Sequence, residues 1–105
     1  MATSKLQGNK VSTVLDVTDQ TYGLTTKAIA NNNCVTVFSF GTPTRTASGW
    51  TTVATVPSGY RPPMDIQIAA PNAAGVRRIF DVSPDGQVKW YGIDGQVFAS
   101  LSYPI

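Results

Sequence analysis

The chain contains no histidine and no glutamate, and its only cysteine is Cys34. Without histidine, neither a Ser/His or Cys/His nucleophile pair nor a His-containing zinc site can be built. A single cysteine closes no internal disulfide, and Cys34 reads as a small buried hydrophobe rather than a reactive thiol. The six acids are all aspartates: Asp16, Asp19, Asp65, Asp81, Asp85 and Asp94. Neither "DVSPDG" nor "GIDG" has the dense acid spacing of a calcium loop, so no metal and no cofactor is expected. Asp81 with Asp94 or Asp65 is the one pairing that could hydrolyse a glycoside. Each of these aspartates has a simpler role as turn-former, strand surface or ion-pair partner, and no enzymatic activity is expected.

Clustered positive charge is also missing. The eight bases are dispersed, only Arg77 and Arg78 are adjacent, and the net charge is +2. Nucleic-acid binding, which needs a basic stripe, is not expected. No apolar run approaches the roughly 20 residues of a membrane span, and "MATSKLQGNK" lacks the apolar stretch of a signal peptide. The expectation is a soluble chain with no membrane insertion and no visible export signal.

What the 105 residues do hold is valine, threonine, 9 glycines and 7 prolines. Valine and threonine favour strands, while Gly, Pro, Asn and Asp punctuate them. Strands are expected over Val11–Val17, Cys34–Phe40, Trp50–Val56, Met64–Ile68, Val76–Val82, Gln87–Tyr91 and from Val97 to the last residue. "CVTVFSF" is apolar on both parities, which predicts cover on both faces, either in the middle of a sandwich or at a subunit contact. Met64, Ile66 and Ile68 should share a buried face. Pro84 and Asp85-Gly86 predict a hairpin between Val76–Val82 and Gln87–Tyr91, and Asp94-Gly95 repeats the device, giving a three-stranded meander at the end. The fold expected is all-β, a small antiparallel sandwich or jelly-roll-like barrel. Residues 1–33 would form an arm or neck and residues 34–105 the head.

Candidate sites follow from the chemistry of sugar binding, which needs an aromatic platform for the CH face of a pyranose and polar groups to take its hydroxyls. "KWYGIDGQ" puts Trp90, Tyr91, Asp94 and Gln96 at one hairpin end. Trp90 shares a parity with Val88 and is equally a core residue, which would leave Lys89 and Tyr91 outward. Of Arg77 and Arg78, which point to opposite faces of a regular strand, one should meet solvent or a neighbour and the other should need Asp65 or Asp81 as partner, an ion pair being the simpler reading and a fork from Arg77 to an anionic or hydroxylated glycan the functional one. Trp50, beside Gly49 at a strand start, reads as a lid on the core in preference to a sugar platform. In "VPSGYRPP", Pro57 ends a ladder and Pro62-Pro63 hold the exit extended. Tyr60 there either caps the core while Arg61 meets an aspartate or carbonyl, or the two contact a ligand.

From residue 35 onward, "GWTTVATVPSGYRPP", "IFDVSPDGQVKWYG" and "VFASLSYPI" together resemble the C-terminal head domains of bacteriophage tail-tip and baseplate receptor-binding proteins. The resemblance implies a homotrimer of small β heads at the tip of a virion, binding a host cell-surface saccharide without cleaving it. Its partners would be that saccharide, further copies of itself and other tail or baseplate proteins. Two alternatives stand beside it. One is a structural virion or tail-assembly module that docks on protein through Tyr91, Tyr103 and the polar arm; the other is a detached bacterial carbohydrate-binding module.

Overall fold

The computed structural model describes residues 13–18 and 21–105. The expected arm over residues 1–10 and the strand start at Val11 lie outside the described residues. Eight strands follow in order: β1 (Thr13–Asp16), β2 (Thr25–Ala30), β3 (Cys34–Gly41), β4 (Ala47–Thr55), β5 (Ile66–Ala69), β6 (Ile79–Val82), β7 (Gln87–Ile93) and β8 (Val97–Pro104). They form two antiparallel four-stranded sheets, β1-β2-β3-β8 and β4-β7-β6-β5. The architecture is an all-β sandwich, and among the described residues no helix is long and apolar enough to cross a membrane.

Alternation decides which side chains meet between the sheets. From the first sheet come Ala28, Val35, Val37, Ala99, Leu101 and Tyr103; from the second come Val53, Phe80, Val82, Val88 and Trp90, all buried. Phe80 and Trp90 pack with ring centroids 4.9 Å apart. The core also holds a polar link between sheets. Trp90 Nε1 donates to Ser39 Oγ at 2.9 Å, and Thr26 Oγ1 donates to the same oxygen at 3.2 Å. An indole N–H buried without an acceptor would cost free energy, and Ser39 removes that cost.

The predicted hairpin between β6 and β7 is present. Gly86 N–H donates to Ser83 C=O at 2.8 Å, and Gly86 sits at φ 88°, the left-handed region Gly tolerates. Asp85 locks the turn by accepting from the Ser83 hydroxyl and from Gln87 N–H at 3.3 Å. The strand before it starts at Ile79 rather than Val76, because residues 71–78 form a loop organised on buried Asn72. The Asn72 carboxamide oxygen accepts from Ala74 N–H at 3.0 Å and from Val76 N–H at 2.9 Å.

Four expectations are corrected. The terminal meander does not form: β8 leaves the second sheet and pairs with β3 along the register Cys34↔Pro104 to Gly41↔Val97. There its four alternate apolar residues, Val97, Ala99, Leu101 and Tyr103, all become buried. β1 falls within the strand expected over Val11–Val17, but the stretch 1–33 is not a separate arm or neck throughout: β2 runs as a full partner of β3 from Thr25↔Phe40 to Ala30↔Val35. Cover on both faces of β3 is absent within the monomer, since Phe40 is exposed and Cys34 is only half-buried. Met64 stands in solvent, leaving Ile66 and Ile68 to pack on the core.

Candidate functional site on the outer face of the second sheet

Residues of opposite parity to the core form the outer face of β4-β7-β6-β5. Cross-strand register sets Trp50 beside Tyr91 and Tyr91 beside Ile79 in one row. The neighbouring row runs Thr52, Lys89, Asp81, Gln67. Trp50 and Tyr91 lie edge to face, with centroids 5.1 Å apart and an interplanar angle of 62°. They remain 46% and 45% exposed, so the pair is a solvent-facing aromatic platform. Lys89 Nζ stands 6.0 Å from the Trp50 ring centroid, at the outer limit of a cation–π contact.

Beside this platform lies a carboxylate that the fold does not fully satisfy. Asp81 points outward from β6, yet its neighbours cover it so well that its side chain is 2% exposed. Its nearest ion-pair partner is Lys89 Nζ at 3.8 Å, and Oδ1 has no hydrogen-bond partner. Burial, and then the charge of Asp65, push the Asp81 carboxyl above the usual carboxylate range; Lys89 and the Gln67 side chain oppose them. The face thus combines two exposed aromatic rings set at an angle with an ammonium, an amide and a hydroxyl, while the Asp81 carboxylate lies buried beneath its neighbours. That set matches a polyhydroxylated ring with one CH face.

The residues selected from sequence do not converge. Tyr91 belongs to the platform. Trp90 is fully buried against Phe80 and bonded to Ser39, so it touches no ligand, and its neighbours Lys89 and Tyr91 face outward instead. Trp50, read as a core lid, is the platform's other half. Asp94 is occupied at the β7–β8 crossover. Arg78 grips it through Nε at 3.1 Å and Nη2 at 2.5 Å, and Asn72 Nδ2 donates to it at 2.9 Å. The Arg78 hydrogen bonds, and secondly Asn72, hold this carboxyl below its ordinary range. Arg78 therefore pairs with Asp94, not with Asp65 or Asp81, and lies across Gly92, where a Cβ would come within 2.9 Å of Nη1. Arg77 is exposed on the 71–78 loop. Gln96 lines a groove with Pro71, Asn72, Ala73, Val97 and Phe98.

Tyr60 and Arg61 sit at the opposite end of the sandwich. Tyr60 packs on the core, and its carbonyl accepts from the Tyr103 hydroxyl at 2.5 Å. Tyr103, expected outward, is buried, and burial pushes its hydroxyl up to about 12. Arg61 Nε donates to Val56 C=O at 2.8 Å. Among the described residues no group of three or more Cys or Asp side chains could hold a metal ion.

No protein-family model matches the chain, and no curated protein matches it.

Proposed function

We propose that this protein is a non-catalytic adhesion head that binds a host cell-surface saccharide, and that the outer face of the second sheet is where the sugar lies. The observation that carries the reading is the exposed Trp50–Tyr91 pair beside the row of Lys89, Gln67 and Thr52 side chains. A pyranose laid on the face of one ring, with the other ring against its edge, would set its hydroxyls toward Lys89, Gln67 and Thr52. The resemblance of residues 35–105 to phage receptor-binding heads supports the same reading, and with it a jelly-roll-like homotrimer at a virion tail tip. A trimer needs a surface to cover. The outer face of the first sheet offers one, with Phe98 63% exposed beside Phe40, centroids 6.1 Å apart. Single sites of this shallow kind bind weakly, and three on one head convert weak contacts into avidity.

Intrinsic fluorescence tests the site, because Trp50 is exposed while Trp90 is buried. A saccharide seated on the platform should shift the emission of Trp50, and Trp50→Phe should abolish the shift while Trp90 continues to report an intact core.

The same apolar face around Phe98 and Phe40 favours a second reading, a tail-assembly module whose partner is protein. That reading predicts loss of partner binding on Phe98 substitution and no affinity for free saccharides.

A further inference from the structure

A second site lies at the far end of the sandwich from Trp50 and Tyr91. The chain turns there through Ser58, Gly59, Tyr60 and Arg61, and these residues meet the β6–β7 turn and the end of β8. Between them is an open cleft of about 670 Å³ lined by Ser58, Gly59, Arg61, Pro63, Pro84, Pro104 and Ile105. We propose that this cleft binds an organic carboxylate, with the Arg61 guanidinium as its fork and Pro84, Pro104 and Ile105 as the walls against its apolar body.

The fork is held in advance of any ligand. Arg61 Nε is committed to Val56 C=O at 2.8 Å. The guanidinium lies over Gly86, where a Cβ would come within 2.5 Å of Nε and 3.1 Å of Cζ. On the backbone side, Tyr60 N–H donates to Pro57 C=O at 3.2 Å, and Pro62 and Pro63 stiffen the chain as it leaves the corner. An arginine ordinarily loses rotamer freedom when it binds; this one has lost it already.

The fork is also unspent. No acid among the described residues lies within ion-pair distance of Arg61, and the Val56 carbonyl is its only hydrogen-bond acceptor there. With Nε engaged, the two Nη groups remain, and their parallel N–H bonds match the two oxygens of a planar carboxylate. One cation matches a monoanion. The four walls other than Arg61, the glycine and the serine are three proline rings and an isoleucine, which suit a hydrocarbon or sugar-ring flank rather than a second charge. This assignment is independent of the platform on the second sheet.

The experiment is an amide and guanidine NMR titration of the full chain with cyclohexanecarboxylate, beside its neutral analogue cyclohexylmethanol and inorganic phosphate. The carboxylate is expected to shift Gly59, Gly86 and Arg61 Nε–H and to leave Trp50 and Tyr91 unmoved, with no saturable shift from the alcohol and a weaker one from phosphate. Arg61→Gln should abolish the response. Ser58→Asp, which leaves the Arg61 brace in place and sets a negative charge on the wall of this open cleft, should weaken it by about tenfold, the scale of a close like-charge contact in largely aqueous surroundings. Should Arg61→Gln fail to fold, Ser58→Asp decides alone. Equal binding of the alcohol would reduce the cleft to an apolar groove, equal binding of phosphate would overturn the carboxylate assignment, and a response undiminished in Ser58→Asp would overturn the site.

Discussion

Ser39 is a small polar residue at a position where parity calls for an apolar one, and it joins the two sheets. Ser39→Ala strands both Trp90 Nε1 and the Thr26 hydroxyl in the core. The expected loss is about 1–3 kcal/mol of unfolding free energy, the cost of an unsatisfied buried donor, read as a lower urea midpoint at unchanged slope. Asp81 works in the other direction. Its carboxyl is raised on folding, so the folded state holds its proton to higher pH than the unfolded state does. Between the unfolded and folded values, stability falls as pH rises, and the penalty persists above them. Asp16, Asp85 and Asp94, all lowered, contribute the opposite slope as pH falls through the carboxylate range. Asp81→Asn should therefore be more stable than the wild type at neutral pH, and the difference between the two should shrink as acid is added, by thermal melts at a pH series. A constant difference would assign the effect to packing.

The residue scale is also where reading from sequence met its limits. Trp90 inward with Lys89 and Tyr91 outward follows from parity in β7, which is regular. Trp50 could not be placed in the same way, because β4 shifts register twice, between Ala47 and Trp50 and between Thr52 and Ala54. Each shift resets the alternation. The Arg78 partner was invisible for a different reason: Asp94 lies 16 residues away and meets it only because β7 crosses over to β8 beside the 71–78 loop.

Among the elements, the β6–β7 hairpin carried its own signature, since Pro84 and Asp85-Gly86 define the turn locally. Its glycine has a further task. A Cβ at Gly86 would collide with the Val56 carbonyl oxygen and would add strain at φ 88°. Gly59, at φ 96°, has nothing within 4 Å of the same atom. Gly59→Ala should thus cost about 1 kcal/mol from backbone conformation alone. Gly86→Ala should cost at least about 2 kcal/mol more, from the added clash with backbone. Equal losses in denaturant melts would show that the close approach at Gly86 does not constrain the turn. By contrast, β2 was hard to read, because its inward residues Thr26, Ala28 and Ala30 carry little hydrophobic signal and acquire burial only by lying beside β3. The crossing of β8 was equally hidden. A strand that alternates cleanly fits either sheet, and the choice is made by pairing with β3, which is remote in sequence along the whole register.

At the scale of the whole molecule, the two sheets present unlike outer faces. The second carries the aromatic and polar platform, while the first carries Phe40 and Phe98 with Asp16 opposite Lys27 in register. The proposed adhesion head would use that contrast, with self-contact on the first sheet and ligand on the second. Light scattering should then give the mass of a trimer for the wild type and of a monomer for Phe98→Glu, with unchanged circular dichroism because Phe98 is exposed in the single chain. Wild-type protein of monomer mass would rule the trimer out. The decisive experiment for the adhesion head is a saccharide array of host-envelope glycans probed with the wild type, Trp50→Ala, Tyr91→Ala and Gln96→Ala. The wild type and Gln96→Ala should bind the same glycans. Both platform variants should lose at least about tenfold in affinity, in keeping with the roughly 0.5–1.5 kcal/mol of an aromatic contact added to lost buried area. Glycan binding undiminished in Trp50→Ala and Tyr91→Ala, or no glycan bound by any of the four, would contradict a sugar site on the second sheet.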